Sequence, residues 1–295
     1  MHITTTLNNQ QVYNRFKFNT EKSFDIQGHK GCRGLMPENT IQAFIEALKV
    51  GANTLFIDVV VSGDGQLVAS NDPWISSETC LAPDGSFMGK EEHYNMFEMT
   101  YEEILQYDCG RKINPAFPMQ KSVSSFKPLL AEVIRRIEKY ILWNSFRQVQ
   151  YNFSIKSAPE WDNIYQPKPE EIVLKLYDLM RMQNIQRRCI IQSLDVRPLQ
   201  MFRRLAPTQR TSLLVENNFS MEENIEALGF LPSIYSPCYK LVDNTLIKSV
   251  HQKEMLLIPW TVNDILDMNE LRQMGVDGLI TDYPDIAVKL LELTR

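Results

Sequence analysis

The C-terminal stretch MLLIPWTVNDILDMNELRQMGVDGLITDYPDIAVKLLEL (255–293) decides the fold. Its first part, Met255–Thr261, is a run of mostly apolar residues that predicts a strand, and Ile265–Met274 has a helical pattern. Gly278–Thr281 predicts a second strand and Asp285–Leu293 a second helix. A strand–helix–strand–helix order predicts a parallel sheet with helices on its faces.

The same alternation extends back to Phe24. Further strands are predicted at 24–28, 54–61, 149–156, 189–192, 212–216 and 233–236. Further helices are predicted at 41–48, 129–143, 170–183, 198–205, 222–228 and 244–251. Eight strands that alternate with eight helices predict an α/β fold of the (β/α)8 TIM-barrel type, with catalytic or binding residues at the C-terminal ends of the strands.

Two segments depart from this rhythm. Residues 1–22 are polar and without periodicity, which predicts an N-terminal arm before a barrel domain at 23–295. Residues 73–126 contain several prolines and only a short helical stretch, Tyr101–Tyr107. A segment this long inside an alternating fold predicts a functional insertion after the second strand.

Composition excludes several classes of partner. The chain has 31 basic and 36 acidic residues, a net charge of −5, and its basic residues are scattered, which argues against nucleic acid. No apolar run approaches the ~20 residues that a membrane span needs. The N-terminus has no apolar signal-peptide core, so a cytoplasmic protein is expected. The sequence indicates no particular protein partner.

The cysteines do not form a recognisable framework. Cys32, Cys80, Cys109, Cys189 and Cys238 are odd in number, far apart and without a C-x-x-C pair. We expect reduced thiols, with neither a disulfide scaffold nor a zinc site.

Polar residues occur at the predicted strand ends. His29 follows the first strand, and Asp58 shares one face of the second strand with Phe56. On the third strand Ser154 and Lys156 share a face with Asn152, and this face is expected to point into the barrel mouth. Later strand ends contribute Gln192, Glu216, Trp260 and Asp282.

Six motifs carry a family resemblance. They are GHKGCRGLMPENTIQAF (28–44), GANTLFIDVVVSGDGQLVASNDP (51–73), YNFSIKS (151–157), IIQSLD (190–195), PWTVND (259–264) and GVDGLITDYPD (275–285). The chain resembles the glycerophosphodiester phosphodiesterases from about Phe24 to its C-terminus. The resemblance implies a (β/α)8 barrel with an insertion after the second strand. It also implies hydrolysis of glycerophosphodiesters by two histidines and by Ca²⁺ or Mg²⁺ held by three carboxylates.

The chain departs from the family pattern at the chemical positions. The family motifs His-Arg-Gly, Glu-x-Asp, His-Asp and Glu-x-Lys are here His29-Lys30-Gly31, Phe56-Ile57-Asp58, Asn71-Asp72 and Ser154-Ile155-Lys156. Two metal carboxylates and one catalytic histidine are therefore replaced. Random substitution along the whole chain would not be expected to replace residues mainly at the metal-binding and catalytic positions.

Carried over residue by residue, the resemblance leaves an incomplete site. His29 is the catalytic residue that persists, with Asn71 in place of the second histidine. Asp58 is the only metal ligand, because Phe56 and Ser154 do not ligate. The expected substrate-binding residues are Lys30, Arg33, Glu38, Lys156 and Trp260.

Three hypotheses follow. The first is a pseudoenzyme that binds a small phosphodiester or phosphomonoester, needs no cofactor, and has an Asp58–Lys156 ion pair in its pocket. The second is an active phosphodiesterase with His29 as its sole catalytic histidine and with Ca²⁺ or Mg²⁺ at Asp58, Asp72 or Glu216. The third is a structural or regulatory interaction domain. His93, in the insertion, is interpreted as an exposed histidine rather than a replacement proton relay.

Overall fold

A computed structural model describes residues 24–293, and its main feature is a parallel sheet that curls into a barrel. The barrel strands are β1 Asp25–Gly28, β2 Thr54–Val61, β6 Gln150–Ile155, β7 Cys189–Ser193, β8 Arg210–Val215, β9 Ile234–Pro237, β10 Leu256–Leu257 and β11 Gly278–Thr281. A short strand β3, Leu67–Ala69, pairs antiparallel with β2 across the Asp64-Gly65 turn. The predicted (β/α)8 TIM barrel is confirmed; the predicted arm at 1–22 lies outside the described residues.

Helices follow the barrel strands and cover the outer face of the sheet, except for the short helix α2, which lies in the predicted insertion. They are α1 Ile41–Val50, α2 Tyr101–Ile104, α3 Leu130–Asn144, α4 Pro169–Met182, α5 Val196–Leu205, α6 Met221–Leu228, α7 Asn244–Gln252, α8 Ile265–Met274 and α9 Pro284–Leu293. Side-chain oxygens cap many of their N-termini; Thr40, for example, accepts from the N–H of Ala43 at the start of α1. Within 24–293, no helix is long and apolar enough to cross a bilayer.

The first strand, β1, pairs with the last strand, β11, so that the sheet curls into a barrel. Parallel pairing runs from β10 through β9, β8, β7, β6, β2 and β1 to β11. The gap between β10 and β11 is bridged by backbone bonds from Asp277 N–H to Leu257 C=O (2.9 Å) and from Ile280 N–H to Pro259 C=O (2.9 Å). Strand β10 is shorter than the predicted 255–261, because Pro259 has no N–H for the ladder with β11.

The barrel interior has an apolar cluster and a polar one. Phe56 packs with isoleucines of three other strands and with Ile258, just after β10, and Trp260 packs against this cluster. Asn152 Nδ2 donates to the side-chain oxygens of Gln27 (2.7 Å) and Gln192 (2.9 Å). The barrel is therefore filled and leaves its chemistry to the mouth.

The predicted insertion lies between β3 and α3 and has its own small core. It contains a two-stranded sheet, β4 Trp74–Ser76 with β5 His93–Asn95, and the short helix α2. Cys80 and Cys109 form a disulfide within it. The prediction of reduced thiols is wrong for this pair, because a bridge between Leu81 and Asp108 brings together two segments that are 29 residues apart in sequence.

Candidate functional site

A tight loop after β1 supplies the first group of mouth residues. Lys30 (φ 54°) and Gly31 (φ 91°) both have left-handed backbone conformations. A Cβ on Gly31 would lie 2.6 Å from the backbone of Ala43, so the loop passes directly over α1. This close approach turns His29 and Arg33 back towards the end of β11.

Asp282, just after β11, contacts His29 and Arg33 of this loop. Its Oδ1 lies 2.7 Å from His29 Nδ1, and Arg33 donates to both of its oxygens at 2.8 and 2.9 Å. Asn263 Nδ2 donates to Oδ2 at 2.8 Å. The carboxyl is buried, and although burial raises its pKa, His29 and Arg33 hold that pKa well below the usual range.

His29 is a buried, neutral imidazole in this arrangement. Burial lowers its pKa more than the neighbouring Asp282 raises it. We assign the proton to Nδ1, which donates to Asp282 and leaves Nε2 as a free base. A histidine oriented by a carboxylate has the geometry of a general base.

Asp58, near the end of β2, is the second focus of the site. Its side chain is fully buried. Asn39 Nδ2 donates to Oδ2 at 3.0 Å, and Asn39 Oδ1 accepts from the backbone N–H of Asp58. The other oxygen, Oδ1, has no hydrogen-bond partner and lies 3.7 Å from Lys156 Nζ. The expected ion pair between Asp58 and Lys156 is present.

Lys156 joins this pair to the loop that follows β3. Its Nζ donates to Asn71 Oδ1 at 3.3 Å, and Asn71 Nδ2 donates to Asp72 at 2.7 Å. Burial raises the pKa of Asp72, and Lys127, from the segment between the insertion and α3, opposes that shift. The structure thus brings Asn71, which the resemblance aligns with the family's second histidine, into contact with the lysine that follows β6.

Glu38 contacts two cationic side chains of the loop after β1. Its Oε2 lies 3.4 Å from both Lys30 Nζ and Arg33 Nη1. Burial alone would raise the pKa of Glu38, but Lys30, Arg33 and Lys127 lower it to about 2. Glu38 is therefore an anion that balances the positive charge of the mouth.

The donor set around Asp58 does not fit the divalent cation that the resemblance implies. Within residues 24–293, no three His, Cys, Asp or Glu side chains are arranged so that they could hold a metal ion. Ser154 pairs with Asp58 in the strand register, and the ring of Phe56 contacts His29 edge-on at 4.8 Å between centroids. A hard cation needs several charged oxygens, and here a single carboxylate faces an ammonium group.

Three predicted candidates lie apart from this centre. Trp260 is half-buried and donates Nε1–H to the carbonyl of Ser236 at 2.9 Å, on the other side of the mouth. Glu216 is exposed just after β8, in a groove with Phe219. His93 is exposed on β5, where its ring meets Trp74 at 5.9 Å.

Sequence reasoning missed three residues of the site. Asn39 holds Asp58, Asn263 holds Asp282, and Lys127 donates to Ser70 Oγ at 2.7 Å. Asn39 and Asn263 belong to the motifs PENT and PWTVND, so their position was visible but their partners were not. Lys127 lies outside every motif.

Comparison with known proteins identifies the family of the chain. The model of the glycerophosphoryl diester phosphodiesterase family matches residues 29–286. The chain belongs to this family. Similar proteins include glycerophosphodiester phosphodiesterases of Caldanaerobacter subterraneus, 29% identical over 90% of this chain and 97% of that protein, and of Bacillus subtilis, 26% identical over 89% and 84%.

Solved structures in the glycerophosphoryl diester phosphodiesterase family have the same fold. The crystal structure of a Silicibacter pomeroyi protein that carries the family's name superposes with a TM-score of 0.83 at 26% identity, over 92% of this chain and 94% of that one. An Oleispira antarctica phosphodiesterase, solved with its product sn-glycerol-3-phosphate, superposes at 0.72 with 20% identity, over 91% and 96%. The second similarity shows the fold alone.

Proposed function

We propose that the barrel mouth binds the phosphate of a small phosphomonoester or phosphodiester and hydrolyses it slowly or not at all. The observation that carries this proposal is the Lys156–Asp58 contact of 3.7 Å at the end of β2 and β6. In this proposal the lysine ammonium supplies the positive charge that a metal ion supplies in related enzymes, and no cofactor is required.

Lys156 is suited to bind a phosphate oxygen. Its side chain is 24% exposed, and its two contacts, with Asn71 and Asp58, are both longer than 3.2 Å. An ammonium group has three N–H donors, so donors remain for a ligand. Lys30 and Arg33 add positive charge on the facing loop, although Glu38 and Asp282 already contact them.

The proposed loss of hydrolysis follows from the missing groups. A positioned acid or base is worth about 10²–10⁴-fold in rate, and metal assistance adds several kcal/mol. His29 remains as a base, but Asn71 cannot protonate a leaving group and Asp58 faces a lysine. A residual rate at least about 10²-fold below that of a complete site is expected.

The first experiment measures hydrolysis of glycerophosphocholine and bis(p-nitrophenyl) phosphate with Ca²⁺, Mg²⁺, Mn²⁺ or EDTA. His29→Ala removes the base, and His93→Ala is the matched control, because His93 is exposed in the insertion. We expect no metal-dependent turnover, while sn-glycerol-3-phosphate raises the melting temperature. Metal-dependent turnover that His29→Ala abolishes and His93→Ala preserves would contradict the proposal.

A restoring variant tests the origin of the loss. Phe56→Glu, Asn71→His and Ser154→Glu together would supply the carboxylates and the histidine. We expect metal-dependent hydrolysis to appear in the triple variant. A folded triple variant that remains inactive would show that other positions also prevent catalysis.

One observation favours a second candidate, an active enzyme with an unusual site. Oδ1 of Asp58 is buried without a hydrogen-bond partner. A cation that displaced Lys156 would give this oxygen a partner. The hydrolysis assay with and without EDTA separates the two candidates, since only the second predicts turnover that depends on metal.

A further inference from the structure

The end of the barrel opposite the mouth exposes large apolar side chains. Leu142 and Trp143, in the last turn of α3, are 77% and 72% exposed. Met182, the last residue of α4, is 83% exposed, and Phe146, just after α3, is 36% exposed. Because α3 leads into β6 and α4 leads into β7, these residues lie at the N-terminal ends of the strands, away from the site in the mouth.

A contact between α3 and the turn after α4 joins these residues into one surface. Arg188, in the turn between α4 and β7, donates to both carboxylate oxygens of Glu138 on α3, at 2.9 and 2.8 Å. Side chains four residues apart share a helix face, so Leu142 lies on the side of α3 that faces this turn. We call the surface formed by residues 139–147 and 181–188 the basal surface.

Positive charge surrounds the apolar side chains of the basal surface. Segments 132–148 and 178–188 contain seven basic and three acidic residues, in a chain whose net charge is −5. Each acidic residue is already paired with arginine, in the pairs Glu132–Arg135, Glu132–Arg136, Glu138–Arg188 and Asp178–Arg181. Lys139, Arg147 and Arg187 are exposed, and none of the three forms an ion pair with another residue in 24–293. These three cations are therefore available to an anionic partner.

An exposed indole and an ammonium group lie together at the centre of this surface. Lys139 Nζ is 4.1 Å from the centroid of the Trp143 ring. Basic residues at helix C-termini are ordinary, because they complement the helix dipole, but the dipole does not explain exposed leucine, tryptophan and methionine side chains beside them. Tryptophan and apolar side chains flanked by Lys and Arg are the combination that binds the interfacial region of a bilayer.

We propose that the basal surface binds the headgroup region of a bilayer that contains anionic lipids. Leu142, Trp143 and Met182 enter the interface, while the unpaired cations contact lipid phosphates. The barrel mouth then faces the aqueous phase, so its ligand arrives from solution and not from the bilayer. This inference concerns a separate surface and does not depend on the ligand proposed for the mouth.

The test is cosedimentation of the full chain with vesicles. One set of vesicles is phosphatidylcholine alone, and the other is an equimolar mixture of phosphatidylcholine and phosphatidylglycerol. A cation near an anionic surface is worth about 1 kcal/mol, which is about fivefold in affinity. We expect binding to the mixed vesicles to be at least about tenfold tighter than to phosphatidylcholine, and to weaken as NaCl is added.

Trp143 gives a direct signal of where the bilayer lies. The other three tryptophans, Trp74, Trp161 and Trp260, are partly buried. Binding to mixed vesicles should therefore shift the tryptophan emission to shorter wavelength, because the Trp143 indole leaves water. Trp143→Phe should remove this shift without abolishing cosedimentation.

Paired variants separate the basal surface from the rest of the molecule. Leu142→Ser and Arg187→Gln should each weaken binding to mixed vesicles by about fivefold. Phe219→Ser is the apolar control, because Phe219 is 66% exposed after β8, at the mouth. Lys168→Gln is the basic control, because Lys168 is exposed just before α4, at the opposite end of that helix from Met182. Unchanged melting temperatures would establish that all four variants fold.

Several results would overturn the proposal. They are equal binding to both kinds of vesicle, binding to neither, and equal losses in the basal variants and the controls. A concentration-dependent dimer that Trp143→Ser dissociates, measured by sedimentation velocity without vesicles, would show that a second copy covers the surface and would also overturn it. Binding of sn-glycerol-3-phosphate is measured in the same variants and should not change, so the proposed function stands or falls separately.

Discussion

The two residues of the Asp58–Lys156 ion pair differ in their exposure to solvent. The carboxyl is fully buried, whereas the lysine side chain reaches solvent. Asp58 Oδ1 has no hydrogen bond, and the ammonium group of Lys156 lies 3.7 Å from it. Removal of such a partner leaves a buried charge uncompensated, which costs far more than loss of a surface pair.

A comparison of two lysines tests this asymmetry. Lys156→Met should lower the free energy of unfolding by about 1–3 kcal/mol at pH 7, because Asp58 then lacks its cation. Lys175→Met is the control, because Lys175 forms a comparable 3.5 Å pair with Glu171 on the exposed face of α4. The control should change stability by less than about 0.5 kcal/mol. Urea denaturation checks both values, and equal losses would refute a special role for the mouth pair.

His29 predicts a pH dependence of stability. Its pKa in the folded protein lies below the ordinary value of 6.5, because the ring is buried. As pH falls below 6.5, the unfolded chain therefore binds a proton that the folded protein does not. The stabilisation is present above pH 6.5 and is lost at up to about 1.4 kcal/mol per pH unit below it.

Urea midpoints between pH 5 and 8 measure this effect. His29→Gln should flatten the decline below pH 6.5, and His93→Gln, at an exposed histidine, should not. A decline of the same slope in wild type and His29→Gln would show that another group causes it.

At the scale of elements, the insertion is the part that differs from a plain barrel. Its core of Ile75, Met96 and Ile104 packs against Val60 and Val68 of the β2–β3 hairpin. Gln120 Nε2 donates to the carbonyls of Arg33 and Met36, at 2.8 and 2.9 Å. The insertion is therefore attached both to the barrel and to the loop that carries His29.

The disulfide should contribute measurably to this attachment. Cys80 and Cys109 close a loop with a sequence separation of 29 residues, for which chain entropy gives about 3–4 kcal/mol. A Cys80→Ser, Cys109→Ser variant should lose about that much unfolding free energy, and Cys238→Ser, at a free cysteine, should lose much less. Under non-reducing denaturation the wild-type chain should titrate three free thiols, and five would contradict the bridge.

The elements that the sequence predicted correctly are those with a pattern among neighbouring residues. Strand β2, helix α8 and strand β11 begin and end where periodicity placed them, because each alternation is read over neighbouring residues. The Cys80–Cys109 bridge and the role of Lys127 depend on how the insertion folds back. No local pattern encodes that return, so the sequence did not reveal it.

At the scale of the whole molecule, the barrel mouth has a charged side and an apolar side. One side carries His29, Arg33 and Asp282 around the β1–β11 junction, and the other carries Leu194, just after β7, and the leucines of β8. The register of the strands produces this division. Alternation predicted which residues of one strand share a face, such as Ser154 and Lys156, but not which residues pair between strands. The pairing partners of individual charges could not be predicted either, because they depend on side-chain distances of a few ångströms.

The seam between the first and last strands also has a consequence for biosynthesis. His29 lies 253 residues before Asp282, its partner across that seam. A ribosome makes the chain from its N-terminus, so the early strands emerge long before β11. In a nascent chain, His29 and Arg33 are therefore made long before Asp282, their shared partner. The contacts of His29 and Arg33 with Asp282 therefore form only after the final barrel strand has been synthesised.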